Sequence, residues 1–226
     1  MTDLGEWEAI YSTGNQINSW PWSDLVSLYF QYKELLELKG KPPRVLELGL
    51  GTGNNIPFWK SLQSDYSGMD ISAKAIEISL ERFPDLNAKL KCGDFSLIAE
   101  FSGEFDLIFD RASLTHGNNY EVQEAISASF NSMKSGGLYI GIDWFSRNHS
   151  DSHLPSVKID SNTRTGFKLG QFTNVGKTNF SDRARMLQTF ADFEILYLKE
   201  KIITNQYPDQ GSHQFASWNV VARKPL

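Results

Sequence analysis

A short apolar stretch followed at once by three alternating glycines constrains this chain more than any other feature. Residues 44–48 read Arg-Val-Leu-Glu-Leu, a pattern typical of a buried strand. Gly49, Gly51 and Gly53 follow at every second position. From Asn54 onward, the sequence indicates the start of a helix. Because glycine has no Cβ and adopts positive φ readily, backbone in such a turn can lie directly against a ligand. The segment therefore predicts a binding site for a nucleotide-like molecule.

The spacing of these glycines separates two kinds of nucleotide site. The dinucleotide-binding pattern G-x-G-x-x-G places its third glycine where this chain has Asn54. No lysine follows Gly53, so the G-x-x-x-x-G-K-[ST] pattern that cradles phosphates is missing as well. Both differences favour a ligand without a pyrophosphate group.

A second predicted strand ends in an acid. Residues 65–70 follow the first strand after one helix length and end in Asp70. A carboxylate can accept hydrogen bonds from two ribose hydroxyls at once. Asp70 therefore suits the ribose of either NAD or an adenosyl ligand, and its charge argues against a 2′-phosphate. Ser72 is expected to cap the helix that follows.

Two further predicted strands also end next to polar residues. Residues 88–92 lead to Asp94 and Phe95, an acid followed by an aromatic residue. Residues 104–110 form an apolar strand that ends in an acid and is followed by Arg111. In a parallel sheet, ligands bind outside the carboxyl ends of the strands, and we expect the reaction at that edge.

This order of motifs resembles the class I S-adenosylmethionine-dependent methyltransferases. In that family an acid precedes a G-x-G-x-G turn by two residues, and Glu47 occupies this place. The family also has an acid for the adenine amino group after its third strand, and a fourth motif where cofactor and acceptor meet. The resemblance covers roughly residues 42–144 and implies S-adenosylmethionine as the cofactor, with S-adenosylhomocysteine as the product. It assigns cofactor binding to Glu47, Gly49, Gly51, Gly53, Asn54, Asp70, Ile71, Asp94, Phe95, Asp110, Arg111 and Trp20.

The alternation of strands and helices predicts an α/β fold. We expect a Rossmann-like, doubly wound and mostly parallel sheet with an antiparallel C-terminal strand, in a single domain over residues 1–226. The expected parts are an N-terminal cap segment and helix (1–40), the cofactor-binding core (42–144), and a long loop that acts as a substrate lid (145–180). The further expected elements are a helix over 22–39, a helix from Val122 ended by Gly136-Gly137, a short strand or hairpin arm within 166–174, a helix over 181–190 capped by Ser181, and closing strands over 193–199 and 214–223.

Charge and composition narrow the class of acceptor. The chain has 226 residues and a formal net charge of −5, and its Lys and Arg residues do not cluster. Since a nucleic-acid backbone needs clustered cations, we expect no nucleic-acid partner and a small-molecule acceptor. The fourth strand also lacks the Asn/Asp-Pro-Pro-Tyr ending of methyltransferases that act on the amino groups of bases.

Cysteine content and hydropathy bear on metal binding and compartment. The single cysteine, Cys92, excludes an internal disulfide and a cysteine-rich zinc site. We expect its thiol to be buried, and we expect no bound metal. The first residues lack the pattern of a signal peptide and no apolar run is long enough to span a membrane, so we expect a cytoplasmic protein without a membrane partner. The sequence leaves the oligomeric state open.

Methyl transfer from a sulfonium centre is an in-line displacement, for which an enzyme mainly holds the acceptor in place. A hydroxyl acceptor also needs a base within hydrogen-bond reach. His116, just past the fourth strand, and Asp143, at the end of the fifth, are the predicted catalytic residues. His149 and His153 are weaker candidates, because their Asn/Ser/Asp-rich surroundings indicate solvated side chains.

Aromatic residues near the N-terminus have two interpretations. Tyr11, Trp20 and Trp22 could wall off water and face the sulfonium through cation–π attraction. Equally, they could pack the following helix onto the sheet. Residues 11–22 and 110–116 also look similar to uncharacterised bacterial methyltransferases associated with surface-polysaccharide pathways, which favours a sugar hydroxyl as acceptor.

Two other functions are compatible with parts of the pattern. An NAD-dependent oxidoreductase shares the fold logic and Asp70, but it predicts Gly or Ala where this chain has Asn54. A non-catalytic module that binds S-adenosylmethionine would keep the same cleft, and the intact glycines and acids do not exclude it. Transfer of a methyl group to any acceptor would decide between this module and an enzyme.

Overall fold

The computed structural model describes residues 4–206 and 213–226. The helices are α1 (Leu4–Ser12), α2 (Ser23–Tyr32), α3 (Ile56–Ser61), α4 (Ala73–Arg82), α5 (Asn119–Asn131) and α6 (Arg183–Thr189). The strands are β1 (Arg44–Leu48), β2 (Asp65–Asp70), β3 (Leu90–Cys92), β4 (Phe105–Arg111), β5 (Met133–Phe145), β6 (Val157–Lys158), β7 (Thr163–Thr165), β8 (Thr178–Asn179), β9 (Glu194–Thr204) and β10 (Gln214–Arg223).

Seven strands form one sheet in the order β3-β2-β1-β4-β5-β10-β9. Strands β1 to β5 pair in parallel, whereas β10 is antiparallel to both β5 and β9. The predicted Rossmann-like α/β fold with an antiparallel C-terminal strand is therefore confirmed. The strand order reverses between β1 and β4, and in open α/β sheets such a switch point opens the crevice where ligands bind.

Apolar residues cover both faces of this sheet. In β1, Val45 packs on the face that carries α2 and α3, whereas Leu46 and Leu48 pack on the face that carries α5 and α6. A strand buried on both faces needs a near-continuous apolar sequence, and Glu47 is the exception within it. Packing on both sides holds β1 between β2 and β4, so that their carboxyl ends are neighbours.

The two N-terminal helices differ from the prediction. Residues 4–12 form α1, which packs against α4, although no periodicity in the sequence indicated it. The predicted helix over 22–39 ends at Tyr32 and continues as a 3-10 turn over Lys33–Leu36. Glu37 then adopts a positive φ of 47°, which ends the helical path ahead of the predicted stop.

The predicted end of the helix from Val122 is wrong. This helix, α5, ends at Asn131, and the chain continues as β5 from Met133 onward, through Gly136-Gly137. The strand extends so far back because Met133 pairs with Phe105 at the start of β4. Pairing with a distant strand therefore overrides the local glycine signal.

The predicted cap of the following helix is also wrong. α6 begins at Arg183 and is capped by Asp182, whose side chain accepts a hydrogen bond from the Arg185 amide at 2.8 Å. Ser181 instead donates its amide to the Phe145 carbonyl at 2.8 Å. The Ser181 amide thus pairs with the end of β5, and the helix begins two residues later than expected.

The segment predicted as a long loop over 145–180 is folded. It contains β6, β7 and β8, which form a second, antiparallel sheet. Residues 166–174 form turns and bends instead of the expected short strand. Phe167 and Phe172 are buried in a cluster with Phe145. These apolar contacts with the end of β5 hold the segment in place, and the local sequence pattern does not reveal them.

Two predictions about surface and hydropathy can be compared with the structure. Cys92 is exposed, so the prediction of a buried thiol is wrong; it ends β3, which is an edge strand of the main sheet. Within residues 4–206 and 213–226, no helix has the length and apolarity needed to cross a membrane.

Candidate active site

A cavity of about 920 Å³ opens at the switch point of the sheet. Its floor comes from the glycine turn after β1 and from the segments that follow β2, β3 and β4. Helix α1, the start of α5 and the segment before β8 contribute further walls. The cavity therefore combines the predicted cofactor edge of the sheet with walls from distant parts of the chain.

The glycine turn presents bare backbone to the cavity. Gly49, Gly51 and Gly53 all adopt positive φ. A Cβ on Gly49 would lie 2.3 Å from the Ser113 Cβ, so the turn packs directly on the segment after β4. Gly49 and Gly51 line the cavity together with Asn54. Gly53 lies behind them, where a Cβ would meet the first residue of α3 at 2.7 Å, so it serves the close packing of that helix.

Asp70 lies at the end of β2 and lines the cavity. Its Oδ2 accepts a hydrogen bond from the Gly51 amide at 2.8 Å, and its Oδ1 accepts one from the Ser72 amide at 2.9 Å. These bonds fix the carboxylate between the glycine turn and α4. Burial raises the pKa of Asp70 to about 6, although both amides favour the charged form. Ile71, the next residue, also lines the cavity.

Glu47 is a buried acid at the end of β1. Its Oε1 accepts a hydrogen bond from the Asn55 side chain at 2.7 Å, and its Oε2 accepts one from the Tyr66 hydroxyl at 2.6 Å. Burial raises the pKa of Glu47 to about 8. A cationic group next to this carboxyl would favour its charged form, so Glu47 suits the positive end of a ligand.

The loop after β3 brings an acid and an aromatic ring together. Asp94 caps the 3-10 turn Phe95–Glu100 by accepting a hydrogen bond from the Ser96 amide at 2.9 Å. Asp94 is exposed, Phe95 is partly buried, and both line the cavity. A polar group and an apolar surface thus lie side by side at the β3 end of the cavity.

Asp110 has a supporting place behind the cavity. It is fully buried and is not among the residues that line the cavity. Its Oδ1 accepts hydrogen bonds from the Tyr139 hydroxyl at 2.9 Å and the Trp144 indole at 2.8 Å, and its Oδ2 accepts from the Ser113 and Leu114 amides. Burial raises the pKa of Asp110 to about 6. The carboxyl group therefore holds the segment after β4 in shape.

Arg111 lines the cavity, and Asp143 orients it from behind. The guanidinium lies 3.9 Å from the Trp22 ring centroid, and its Nε donates to the Asp143 Oδ2 at 3.1 Å. The Asp143 Oδ1 also accepts a hydrogen bond from Ser217 at 3.0 Å and pairs with the Lys201 Nζ at 2.6 Å. Asp143 is not among the cavity residues, so it acts on the site through Arg111.

His116 lines the cavity at the end of the segment after β4. Its Nδ1 lies 2.9 Å from the Lys177 carbonyl oxygen. A carbonyl only accepts hydrogen bonds, so in the neutral ring Nδ1 carries the proton and Nε2 carries the lone pair. The ring also packs edge-on against Trp7 at 4.8 Å and Phe145 at 5.8 Å between centroids. Contacts on several sides therefore fix the orientation of the ring.

The three N-terminal aromatic residues have different places. Tyr11 is buried and lines the cavity, and burial raises its pKa well above the usual value. Trp22 lines the cavity and also packs against the core under α2. Trp20 is 83% exposed and is not a cavity residue; its carbonyl accepts a hydrogen bond from the Asn54 side chain at 3.0 Å. The structure thus supports a cavity role for Tyr11 and Trp22 and brings only the backbone of Trp20 near the glycine turn.

The two remaining histidines lie outside this cavity. His149 is fully buried, contrary to the expected solvated side chain, and burial lowers its pKa to about 4. His149, Asp151 and His213 place possible metal-ligand atoms within 4.8 Å of one another. The His149 Nδ1, however, accepts a hydrogen bond from the Asp151 amide at 3.0 Å, so Nε2 carries the proton and the neutral ring has no lone pair left for a metal. His153 is exposed.

Sequence reasoning missed part of the cavity wall. These residues come from α1, the start of α5, the segment before β8 and the start of β10, namely Trp7, Tyr120, Glu121, Gln171, Phe172, Lys177 and Phe215. They come from distant parts of the sequence, and the packing of Phe167 and Phe172 against Phe145 brings the segment before β8 to the cavity. The aromatic residues of 167–180 were a local sign of burial but not of the surface they would cover.

Comparison with known proteins relates part of this chain to a methyltransferase domain. A family model described as a methyltransferase domain matches residues 45–137, which hold the elements from β1 through α5. These residues supply the glycine turn, Glu47 near the end of β1, Asp70 at the end of β2, and His116. No curated protein matches the chain.

Solved structures of methyltransferases share the fold over almost the whole chain. A S-adenosylmethionine-dependent methyltransferase from Methanosarcina mazei superposes with a TM-score of 0.66 at 18% identity, covering 93% of this chain and 100% of that one. One from Anabaena variabilis gives a TM-score of 0.63 at 16% identity, with coverages of 99% and 96%. An amino pentose methyltransferase from Micromonospora echinaspora, involved in calicheamicin biosynthesis and solved with S-adenosylmethionine bound, gives 0.57 at 15% identity, with 96% of each chain covered.

Proposed function

We propose that this chain is a S-adenosylmethionine-dependent methyltransferase that transfers the methyl group to a hydroxyl of a small-molecule acceptor, with sugars as the acceptor class. The match of residues 45–137 to a methyltransferase domain and the fold shared with solved methyltransferases support the cofactor and the reaction. The observation that carries this proposal is the single cavity in which the cofactor edge of the sheet and His116 lie together. Its volume of about 920 Å³ falls within the range of roughly 300–1,000 Å³ that is usual for sites binding small molecules.

The cofactor end of the cavity fits an adenosyl ligand with a positive sulfur. Asp70, held by two amides, can accept hydrogen bonds from the ribose hydroxyls. Gly49 and Gly51 leave room for the ligand against the backbone, and a Cβ at Gly51 would lie 3.0 Å from the Tyr11 hydroxyl. When bound, S-adenosylmethionine supplies an activated methyl group and leaves as S-adenosylhomocysteine.

At the acceptor end, His116 is the proposed general base. An imidazole in this place can take the hydroxyl proton while the acceptor oxygen forms its new bond to the methyl carbon, whose bond to sulfur breaks. Phe145, Phe172 and Phe215 provide an apolar wall at this end, which excludes water and limits the orientations of the acceptor. Such positioning supplies much of the rate enhancement in displacement reactions.

Four observations support a sugar-like acceptor over a large or polyanionic one. The chain has a net charge of −5. The cavity contains several acids, whereas its Arg111 and Lys177 side chains are each paired with a carboxylate. One protein with the same fold is an amino pentose methyltransferase, and residues 110–116 gave the same indication from the sequence.

A non-catalytic module that binds S-adenosylmethionine is the second candidate. It is favoured by the same cofactor end of the cavity, and it predicts binding without turnover. An NAD-dependent oxidoreductase is disfavoured, because Asn54 stands where the third glycine of the dinucleotide pattern is needed.

The test is a methyl-transfer screen with labelled S-adenosylmethionine against free sugars, nucleotide-sugars, amines and phenols. Label in a sugar product supports the proposal, and transfer to amines or phenols alone would replace the acceptor class. Calorimetry with S-adenosylhomocysteine is measured in parallel. Binding without transfer to any acceptor would favour the non-catalytic module.

A further inference from the structure

Helix α1 covers the cavity and touches both of its ends. Trp7 and Tyr11, one helical turn apart, both line the cavity. The Trp7 ring packs against His116, and the Tyr11 hydroxyl faces the glycine turn at Gly51. Nothing in the catalytic proposal requires a charged group on this helix. Glu8, between the two aromatic residues, nevertheless makes specific contacts with the rest of the protein.

The Glu8 carboxylate lies at the N-terminal end of α4. Its Oε2 accepts a hydrogen bond from the Ser72 hydroxyl at 2.6 Å and one from the Lys74 amide at 3.2 Å. The hydrogen bond from Ser72 is the main reason why the pKa of Glu8 is lowered. Amides at the start of a helix have no partner within the helix, and a negative charge there is stabilised by the helix dipole. Glu8 of α1 thus binds the N-terminal end of α4, where the helix dipole is positive.

Ser72 connects this contact to the ribose-binding acid. Its hydroxyl accepts a hydrogen bond from the Ala75 amide as the cap of α4 and donates to Glu8. Its own amide donates to the Asp70 Oδ1 at 2.9 Å. Ser72 is completely buried. A displacement of α1 that breaks the Glu8 contact therefore disturbs the residue that orients Asp70.

We propose that Glu8 is a positioning residue: the Glu8–Ser72 hydrogen bond, called the latch below, holds α1 closed over the cavity and couples this closure to the orientation of Asp70. When the latch is formed, α1 stays over the cavity and Asp70 is oriented for the cofactor. With the latch broken, α1 is released from α4 and the cavity opens. The inference rests on the proposed cofactor site but on no particular acceptor.

The test uses the full chain and S-adenosylhomocysteine as the probe. Calorimetry gives its affinity, and stopped-flow tryptophan fluorescence gives its dissociation rate. We expect Glu8→Ala to raise the dissociation rate about tenfold, in line with the loss of one charged hydrogen bond, and to change the association rate less. Glu8→Gln keeps an acceptor oxygen without the charge and should recover part of the affinity.

Hydrogen exchange of the amides of residues 4–12 measures directly how firmly α1 is held over the cavity. We expect the probe to protect these amides in the native chain and to protect them less in Glu8→Ala. The matched control is Glu34→Gln, which removes an exposed carboxylate that pairs with Lys33 at the surface; neither rate should change. Ser72→Ala combined with Glu8→Ala completes a double-mutant cycle, in which the two losses should not add.

Unchanged dissociation and unchanged exchange in Glu8→Ala would overturn the latch, and so would additive losses in the cycle. These outcomes leave the proposed function intact, because methyl transfer is measured separately. If the native chain bound no probe, the cofactor assignment would fail. Exchange of residues 4–12 in the free native and Glu8→Ala chains would then still decide whether the latch holds α1.

Discussion

The Nδ1 atom of His116 lies 2.9 Å from the carbonyl oxygen of Lys177. This contact joins the segment after β4 to the segment before β8, which belong to different sheets. The carbonyl fixes the tautomer of the ring, so the lone pair is on Nε2. The orientation of the His116 ring within the cavity therefore depends on the folding of residues 145–180.

Replacing the proposed base should affect turnover more than binding. We expect His116→Gln to lower kcat by about 10²–10⁴-fold, because general-base catalysis contributes on this scale. The affinity for S-adenosylhomocysteine should change little, since the cofactor acids remain. Steady-state kinetics and calorimetry on the same preparation check both quantities. Full turnover in the variant would remove His116 as the base.

Replacing Asp70 should weaken cofactor binding and remove its pH dependence. The amide of Asp70→Asn accepts hydrogen bonds from the ribose hydroxyls less strongly than a carboxylate does. We expect the binding free energy of the cofactor to weaken by about 1–3 kcal/mol. In the native chain the pKa of Asp70 is about 6, so affinity should rise with pH up to about 7 as the carboxyl ionises. Calorimetry from pH 5 to 8 tests both points. An affinity in Asp70→Asn equal to the native value would refute the ribose assignment.

The stability of the free protein should decrease as the pH rises through the buried acids. The pKa values of Glu47 and Asp70 are raised to about 8 and about 6, from 4.5 and 3.8. At a pH between the ordinary pKa of each acid and its raised pKa, the folded chain binds more protons than the unfolded chain. The free energy of unfolding therefore falls with increasing pH. Urea unfolding at pH 5 and pH 8 measures this change. In Glu47→Gln the free energy of unfolding should change less between pH 5 and pH 8. A change as large as that of the native chain would contradict the raised pKa of Glu47.

Asp143 should behave as a structural partner of Arg111. Asp143→Asn leaves Lys201 and Arg111 with a weaker partner, and we expect the free energy of unfolding to fall by about 1–3 kcal/mol. The pH profile of kcat should keep its shape, because Asp143 takes no part in the proposed proton transfer. If Asp143 were the base, kcat would fall by several orders of magnitude at unchanged stability.

A side chain at the first glycine of the turn should disrupt the site. Gly49 has a φ of 72° and a Cβ there would lie 2.3 Å from Ser113. We expect Gly49→Ala to lower the free energy of unfolding by at least about 1 kcal/mol and to weaken cofactor binding. Gly5→Ala in α1 is the matched control, since within residues 4–206 and 213–226 its Cβ position meets no heavy atom within 4 Å apart from its chain neighbours and the backbone of its own helix. Thermal unfolding compares the two, and equal effects would contradict the packing argument.

Predictions from the sequence succeeded for elements that depend only on neighbouring residues. The strand of residues 65–70, the cap at Ser72 and the glycine turn were all found at the predicted positions, because each depends on residues a few places apart. Helix ends failed where a distant strand competes, as at Met133, whose pairing with Phe105 starts β5 early. The exposure of Cys92 could not be predicted either, because it depends on which strand lies at the edge of the sheet.

The sequence by itself determined the alternation of strands β1 to β5 with helices, the glycine turn, and the acids at the strand ends, since these are properties of short stretches. It did not determine α1 or the second sheet. Only the tertiary structure decided which of those acids face the cavity: Asp70 does, while Asp110 and Asp143 lie behind it. It also decided that α1 covers the site and that Lys177 holds His116. The physical reason is that burial and hydrogen-bond partners depend on residues brought together across the sheet, and no local pattern contains that information.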